Sequence, residues 1–438
     1  MSPVPLPEPA RPLDASYALW LRAREVMPGG AAVIGVYLDK PHPIYFARHE
    51  GAYLWDVDGN RYLDLRSGYS GLGVGSAPEI RDAVIAQARE STHLYPSTEK
   101  IIELAQLICD AIPSVERLHF TDSITKATNM AVRIGRAYTR REKFAKFVGA
   151  YHGVWDGAFF GVPARMESGP VMDKAVRGIP RSAEQDIVLL PFNDLAGCRR
   201  IIEENAADLG SLLVEPVIGD GYILPADGFL QGIRELCDEY GIVLISDEAI
   251  TLGLSPAGSQ GYFGWEADLT AMGKLMGGSL PIGALGGREE ILAVADPSRG
   301  TPVPDGSTFG AHPLSVAAGI ASLKLMTPAI YARLHEVGQQ VRDGVAQIAE
   351  RRDVPELSAT GVGQFVNLHW NSGEVRRYED HLACDRDVMR AIDRGMLWDG
   401  YCGPGYGRMH LSAAMTDEDI SGLLLSLEKQ VVRVREFT

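Results

Sequence analysis

The 438-residue chain has few cysteines, and nothing in their arrangement builds a framework. The five (Cys109, Cys198, Cys237, Cys384 and Cys402) are odd in number, widely spaced and never in Cys-x-x-Cys. That argues against a disulfide scaffold and against a zinc site. Positive charge is also short, with 42 Lys and Arg against 57 Asp and Glu and a formal net charge of −15. Nucleic acids and anionic membrane surfaces are bound by clustered cations, so neither is expected as a partner. No apolar run approaches spanning length, and the N-terminus lacks a charged-then-apolar signal pattern. A soluble, cytoplasmic protein without a resident metal is the expectation. A phosphate-binding Gly-x-x-x-x-Gly-Lys-Ser/Thr loop is missing too, because Leu275 follows the glycine-flanked Lys274.

What the sequence does hold is bulk and pattern. With 46% hydrophobic residues, a chain of this length buries a large core and is expected to form more than one core-bearing unit. Strand-like runs at 118–121, 146–150, 187–190, 211–214 and 242–247 alternate with helical stretches near 97–111, 122–137, 194–206 and 229–240. This alternation predicts right-handed crossovers and a mostly parallel sheet. Residues 52–64 read as two short strands about an Asp-Gly turn. The proline-rich residues 1–13 read as a mobile arm.

The stretch 268–288 sets Lys274 among glycines, small residues and apolar residues, with no carboxylate immediately beside it. Glycines let a backbone approach a ligand closely. A poorly solvated amine reaches its neutral, nucleophilic form more readily, which suits a Schiff base with an aldehyde. A glycine-rich turn with a solvated lysine is the plainer reading of that stretch alone. Upstream, the apolar run 242–246 ends in Asp247, as a buried parallel strand would. Ligands of open α/β sheets lie beyond the carboxyl ends of strands. An aspartate there can keep the pyridine nitrogen of pyridoxal phosphate (PLP) protonated. Asp247 followed by Glu248 also fits a surface pair; Asp247 and Lys274 together make the specific hypothesis.

Val243-Leu244-Ile245-Ser246-Asp247-Glu248, the stretch around Lys274 and Gly306-Ser307-Thr308-Phe309-Gly310 resemble the class III, fold type I PLP-dependent aminotransferases. The resemblance is to the branch containing glutamate-1-semialdehyde 2,1-aminomutase, and it runs from about residue 27 to the C-terminal helix. It implies an α/β fold with a large PLP-binding domain over 66–328, built on a mostly parallel seven-stranded-type sheet flanked by helices. A small α+β domain would come from both termini, 14–65 and 329–438. The resemblance also implies Lys274 and Asp247 as catalytic residues and a homodimer with shared active sites.

On the cofactor side, Ser123, Ile124 and Thr125 correspond to the turn that binds the cofactor phosphate, where a helix start favours an anion. Simple N-capping by Asp122 or Ser123 reads the same residues differently. Here the chain departs from the family, with Ile124 for a glycine and Lys126, a cation within reach of a phosphate, for a glutamate. Tyr151 corresponds to the aromatic stacked on the ring, and its neighbour His152 reads as structural. Asp220 falls where the aminomutases place a residue near the phenolic oxygen and ω-amino-acid aminotransferases a glutamate facing an arginine. An ordinary turn residue fits Asp220 as well. Ala249 stands for a ring-packing valine, and Leu254 for an arginine. Thr308 corresponds to a threonine given across the dimer interface to the partner's phosphate, or else caps the following helix.

On the substrate side the resemblance implies Tyr69 as a pocket aromatic, with a core tyrosine as the alternative. The segment up to Val36 lacks the arginine of several relatives. Arg408 is left as the carboxylate anchor through its planar fork, a surface strand arginine being the alternative. His410 would share that pocket. The implied reaction moves an amino group between a small-molecule amino donor and a carbonyl acceptor. Aminomutase, racemase, decarboxylase or elimination chemistry on the same scaffold, or a non-catalytic PLP-binding protein, are the alternatives.

Overall fold

The computed structural model describes residues 4–31, 42–66, 73, 76–93, 97–161, 178–300 and 303–437. The chain divides into two compact units, one made of Met1–Ala77, Pro328–Glu374 and Ala383–Thr438, the other of Pro78–Thr327 and Val375–Leu382. Among the described residues, no single helix is long and apolar enough to cross a membrane.

In the first unit, helix α1 (Asp14–Arg24) precedes strands β1 (Phe46–Glu50), β2 (Tyr53–Asp56) and β3 (Arg61–Asp64). The β2–β3 turn closes on Asp56, which accepts from the amides of Asp58 and Asn60 and from the Tyr62 hydroxyl. Residues 4–13, expected to be a mobile arm, are tied to this unit instead. Proline removes a donor but leaves its carbonyl free to accept. The carbonyls of Pro5, Pro7 and Pro12 accept from Arg433, Trp398 and Asn60, and Val4 enters the unit's core.

The second unit carries β4 (Arg117–Thr121), β5 (Lys143–Phe147), β6 (Ile187–Leu190), β7 (Leu209–Val214), β8 (Val243–Asp247), β9 (Leu269–Gly273) and β10 (Gly283–Gly287). Their order in one seven-stranded sheet is β4-β10-β9-β8-β7-β5-β6. Strands β5 to β9 pair in parallel, and β10 runs antiparallel to both its neighbours. The strands β7, β8, β9 and β10 are buried along their whole length, which is why they read as unbroken apolar or small runs. Around them lie α2 (Pro78–Glu90), α3 (Glu99–Ala111) and α4 (Ile124–Thr139). Met130 and Ile134 of α4 join Phe144, Leu213, Ile245 and Leu285 in one cluster on the sheet. Because β5, β7, β8 and β9 are parallel, Phe147, Val214, Asp247 and Gly273 end on the same edge.

The chain returns to the first unit with β11 (Leu357–Thr360), β12 (Phe365–Trp370), β13 (Tyr401–Cys402) and β14 (Arg408–His410). Strands β11, β12 and β14 form an antiparallel sheet, while β13 joins β3 in parallel. A capping box between Thr416 and Asp419 starts the last helix, Asp417–Arg435, as the sequence pattern suggests.

Candidate active site

Lys274 is the first residue after β9 and has a φ of 49°, a left-handed conformation that an L residue adopts at a cost of about 1 kcal/mol or more. A β-carbon added to Gly273 would lie 2.9 Å from Cβ of Ile124, so the isoleucine that replaces a glycine fills the space over the strand that delivers the lysine.

Ile124 opens α4, and Ser123 is the N-cap, its Oγ accepting from the Lys126 amide at 3.4 Å and donating to Asp122 at 3.0 Å. Thr125 packs beside Gly153, which has a φ of 96° and no room for a side chain. The Lys126 ammonium, expected within reach of a phosphate, is committed elsewhere. It donates to the Gly306 carbonyl at 2.6 Å and pairs with Asp305 at 2.8 Å, and Asp305 also meets His119 at 2.6 Å. Ser307 donates to Asp122 at 2.6 Å. The segment carrying Thr308 is thereby moored to the β4–α4 turn, with Thr308 itself exposed.

Asp247 ends β8 and is buried. Its Oδ1 accepts from the Ala249 amide at 3.0 Å and its Oδ2 meets Nδ1 of His152 at 2.8 Å. Burial holds the His152 ring below the ordinary imidazole value, against the bond and charge of Asp247. With a carboxylate as its partner, Nδ1 is the donor in that bond. His152 had no distinguishing mark in the sequence, because its contact comes from a different strand.

Two further groups escaped sequence reasoning. Glu215, just past β7, accepts from the Tyr151 amide at 3.1 Å and is fully buried. Burial and the charge of Asp247 push it up to about 8, against the amides of Tyr151 and Gly219 and the Lys274 charge. Lys146, on β5, is fully buried, and its Nζ donates to the carbonyls of Ala150 and Ala158. A lysine inside an apolar strand and a glutamate at the end of one were the available signals.

Tyr151 sits edge-on to Phe159, ring centroids 6.0 Å apart. Asp220 accepts from the Tyr378 hydroxyl at 2.9 Å and lies 4.0 Å from the His381 ring. Leu254, noted as a departure from the family's arginine, is buried. Arg408 and His410 lie on β14, in the other unit. Arg408 is buried rather than on a surface, and with Leu65, Asp393 and Tyr401 it lines a cavity of about 20 Å³. His410 is buried against Phe365, with Nδ1 3.4 Å from the Arg66 carbonyl. Tyr69 and Val36 lie outside the described residues.

Asp247 provides the test of fit for PLP. Among the described residues it is a buried carboxylate with no lysine or arginine paired to it, bonded to an imidazole whose charged form burial disfavours. A buried anion calls for a positive partner, and a protonated ring nitrogen supplies one. A helix N-terminus for a phosphate and an amine for an aldehyde complete the donor set, so the residues fit.

The family model described as aminotransferase class-III matches residues 37–431. The chain belongs to the class III aminotransferases. Glutamate-1-semialdehyde 2,1-aminomutase 2 from Geobacillus kaustophilus is 34% identical over 432 residues, covering 97% of this chain and all of the relative. An omega-transaminase from Sphaerobacter thermophilus superposes with a TM-score of 0.91 at 35% identity, covering 97% of this chain and 98% of the other. A transaminase with PLP bound follows at 0.88 and 33%, with coverage of 97% and 98%. This class III protein is a PLP-dependent enzyme of the fold type I architecture, an aminotransferase or a closely related aminomutase acting on small molecules.

Proposed function

We propose that this class III enzyme is an aminotransferase moving an amino group between an amino acid or amine and a keto or aldehyde acceptor, through a Schiff base to Lys274. The observation that carries the reading is the pairing of β8 with β9, where Asp247 stands opposite Ala271, three residues before Lys274. A carboxylate and an amine thus leave neighbouring parallel strands at the same edge.

PLP, when bound, supplies an aldehyde for amines and a ring that draws electrons from the carbon next to the nitrogen. Asp247 would accept a hydrogen bond from the ring nitrogen and keep it protonated. Ser123, Ile124 and Thr125 would hold the phosphate at the start of α4. Tyr151 and Ala249 would hold the ring. Asp220, which accepts from the Tyr378 hydroxyl, is assigned to the cofactor side. Lys274 Nζ would carry the proton away from the substrate carbon and return it, as base and then acid. Arg408, whose planar fork suits a carboxylate, is the residue assigned to the substrate's acid group, with Tyr69 and His410 assigned to the substrate side.

A second copy of the chain is part of this reading. Thr308 and its neighbour Phe309, which is 58% exposed, stand on a moored segment suited to completing a partner's phosphate site. The five cysteines are all free, which suits the reducing cytoplasm. An aminomutase is the second reading, favoured by the 34% identity to glutamate-1-semialdehyde 2,1-aminomutase 2 across nearly the whole chain.

The test is to reduce the yellow PLP-loaded enzyme with borohydride, map the label, and then mix unreduced enzyme with a panel of amines and no acceptor. Label on Lys274 and bleaching by a donor with release of its keto product support transamination. Label elsewhere sinks the reading. An isomerised product without any acceptor favours the aminomutase.

A further inference from the structure

Two buried ionisable groups, Lys146 and Glu215, have no part in the chemistry just described. They are 0% and 3% exposed. Nζ of Lys146 donates to the Ala150 carbonyl at 2.8 Å and to the Ala158 carbonyl at 2.5 Å. Oε2 of Glu215 accepts from the Tyr151 amide at 3.1 Å. The Ala150 carbonyl and the Tyr151 N–H belong to one planar peptide group. Lys146 comes from β5 and Glu215 from the end of β7, so this peptide is gripped by its oxygen and its nitrogen from two strands. Turning it in either direction breaks a buried hydrogen bond and strands its partner.

The surroundings close off the other ways for the peptide to move. Gly149, at a φ of 85°, packs on the ring of Tyr378, whose hydroxyl is held by Asp220. On the far side, Thr128 donates to the His152 carbonyl at 2.7 Å. A lysine in the apolar interior of β5 is otherwise unfavourable, since an apolar side chain of similar length would avoid its desolvation. The two carbonyls it meets account for its place.

We propose that Lys146 and Glu215 are paired positioning residues that clamp the Ala150–Tyr151 peptide and so fix the backbone of Tyr151 and hold the next residue, His152, against Asp247 in the PLP site. This rests on the reading of Asp247 and Lys274 given above. Burial pulls Lys146 down to about 7 against the charges of Glu215 and Asp247. It pushes Glu215 up to about 8. A neutral amine keeps two N–H donors, one for each carbonyl, and a protonated carboxyl keeps an acceptor oxygen, so the clamp holds in either protonation state.

The experiment compares full-length enzyme with Lys146→Met, Glu215→Gln, Glu215→Ala and the double variant Lys146→Met/Glu215→Ala. Hydrogen exchange of the amides over 148–153 is followed without cofactor, and then the PLP dissociation constant and the visible circular dichroism of bound PLP. Lys146→Met and Glu215→Ala are each expected to speed exchange at Tyr151 about tenfold or more while amides in Phe229–Tyr240 keep their rates. PLP binding should weaken about tenfold, and the double variant should be no worse than the worse single one, because either loss frees the same peptide. Glu215→Gln, which keeps an acceptor, should fall between Glu215→Ala and the unaltered enzyme. Unchanged exchange at Tyr151, exchange raised evenly through the unit, or strictly additive effects would overturn the clamp. Should Lys146→Met not fold, the two Glu215 variants decide by the same readouts. Unaltered protein that takes up no PLP would overturn the functional reading instead, and the cofactor-free exchange still tests the clamp.

Discussion

Nδ1 of His152 lies 2.8 Å from Oδ2 of Asp247, and both side chains are buried. The bond joins the loop after β5 to the end of β8, two strands that are not neighbours in the sheet. The orientation of the carboxylate is therefore set from outside its own strand. Asp247→Asn is expected to lower kcat/KM by about 10²-fold or more, as for loss of a preorganised electrostatic partner. His152→Phe should cost about tenfold, and the double variant should match Asp247→Asn, since the imidazole acts through the carboxylate. Steady-state kinetics on the four proteins measures this.

Lys274→Ala keeps a β-carbon at a φ of 49°, so it retains the same backbone strain. Its unfolding free energy should stay within about 1 kcal/mol of the unaltered value. Borohydride labelling at that position should vanish, as mass spectrometry of the digested protein would show.

Gly149 combines a φ of 85° with the ring of Tyr378 where a side chain would go. Gly149→Ala therefore meets both backbone strain and overlap with a ring, and should cost about 3 kcal/mol or more. Urea unfolding followed by tryptophan fluorescence gives the shift in midpoint.

The Lys126–Asp305 pair is partly solvated, with side-chain exposures of 26% and 11%. Lys126→Met should thus cost less than about 1 kcal/mol, and less still in high salt. With the ammonium bound to Asp305 and Gly306, PLP affinity should change by less than about fivefold. Titration of apoenzyme with PLP checks the second figure.

Glu215 gives stability a pH dependence of definite sign. Its folded value is raised to about 8 from an ordinary 4.5. Between those values the unfolded chain has released the proton that the folded chain retains, so the unfolded state binds fewer protons and stability falls as pH rises. The slope is at most about 1.4 kcal/mol per pH unit for one proton. Stability lent by the protonated group is complete below about 4.5 and is lost by about 8. The stability difference between the unaltered protein and Glu215→Gln should fall from pH 5 to 7, as paired unfolding curves would show; comparing the two cancels His152, which burial shifts the opposite way.

Much of the large unit was legible in the chain itself. The apolar runs leading to Val214 and Asp247 appear as β7 and β8, because a strand covered on both faces must be apolar throughout. The run expected over 146–150 was misplaced. Its strand is Lys143–Phe147, since Gly149 at positive φ and the bond from the Ala150 amide to Phe147 turn the chain away. Proline content misled in residues 4–13, where carbonyls unaffected by the ring are what hold the segment.

By itself the sequence determined the kind of sheet, the lysine among glycines and the aspartate at a strand end, since each of these is written in consecutive residues. Only the tertiary structure decided that His152 belongs to Asp247, that Lys146 and Glu215 hold one peptide from two strands, and that Lys126 is bound to Asp305. His152 and Asp247 stand 95 positions apart, Tyr151 and Glu215 64, and Lys126 and Asp305 179, while Lys146 reaches its own peptide from four positions away only because β5 turns there. Strand order and the neighbours that desolvate a group govern such pairs, and neither is encoded in local spacing.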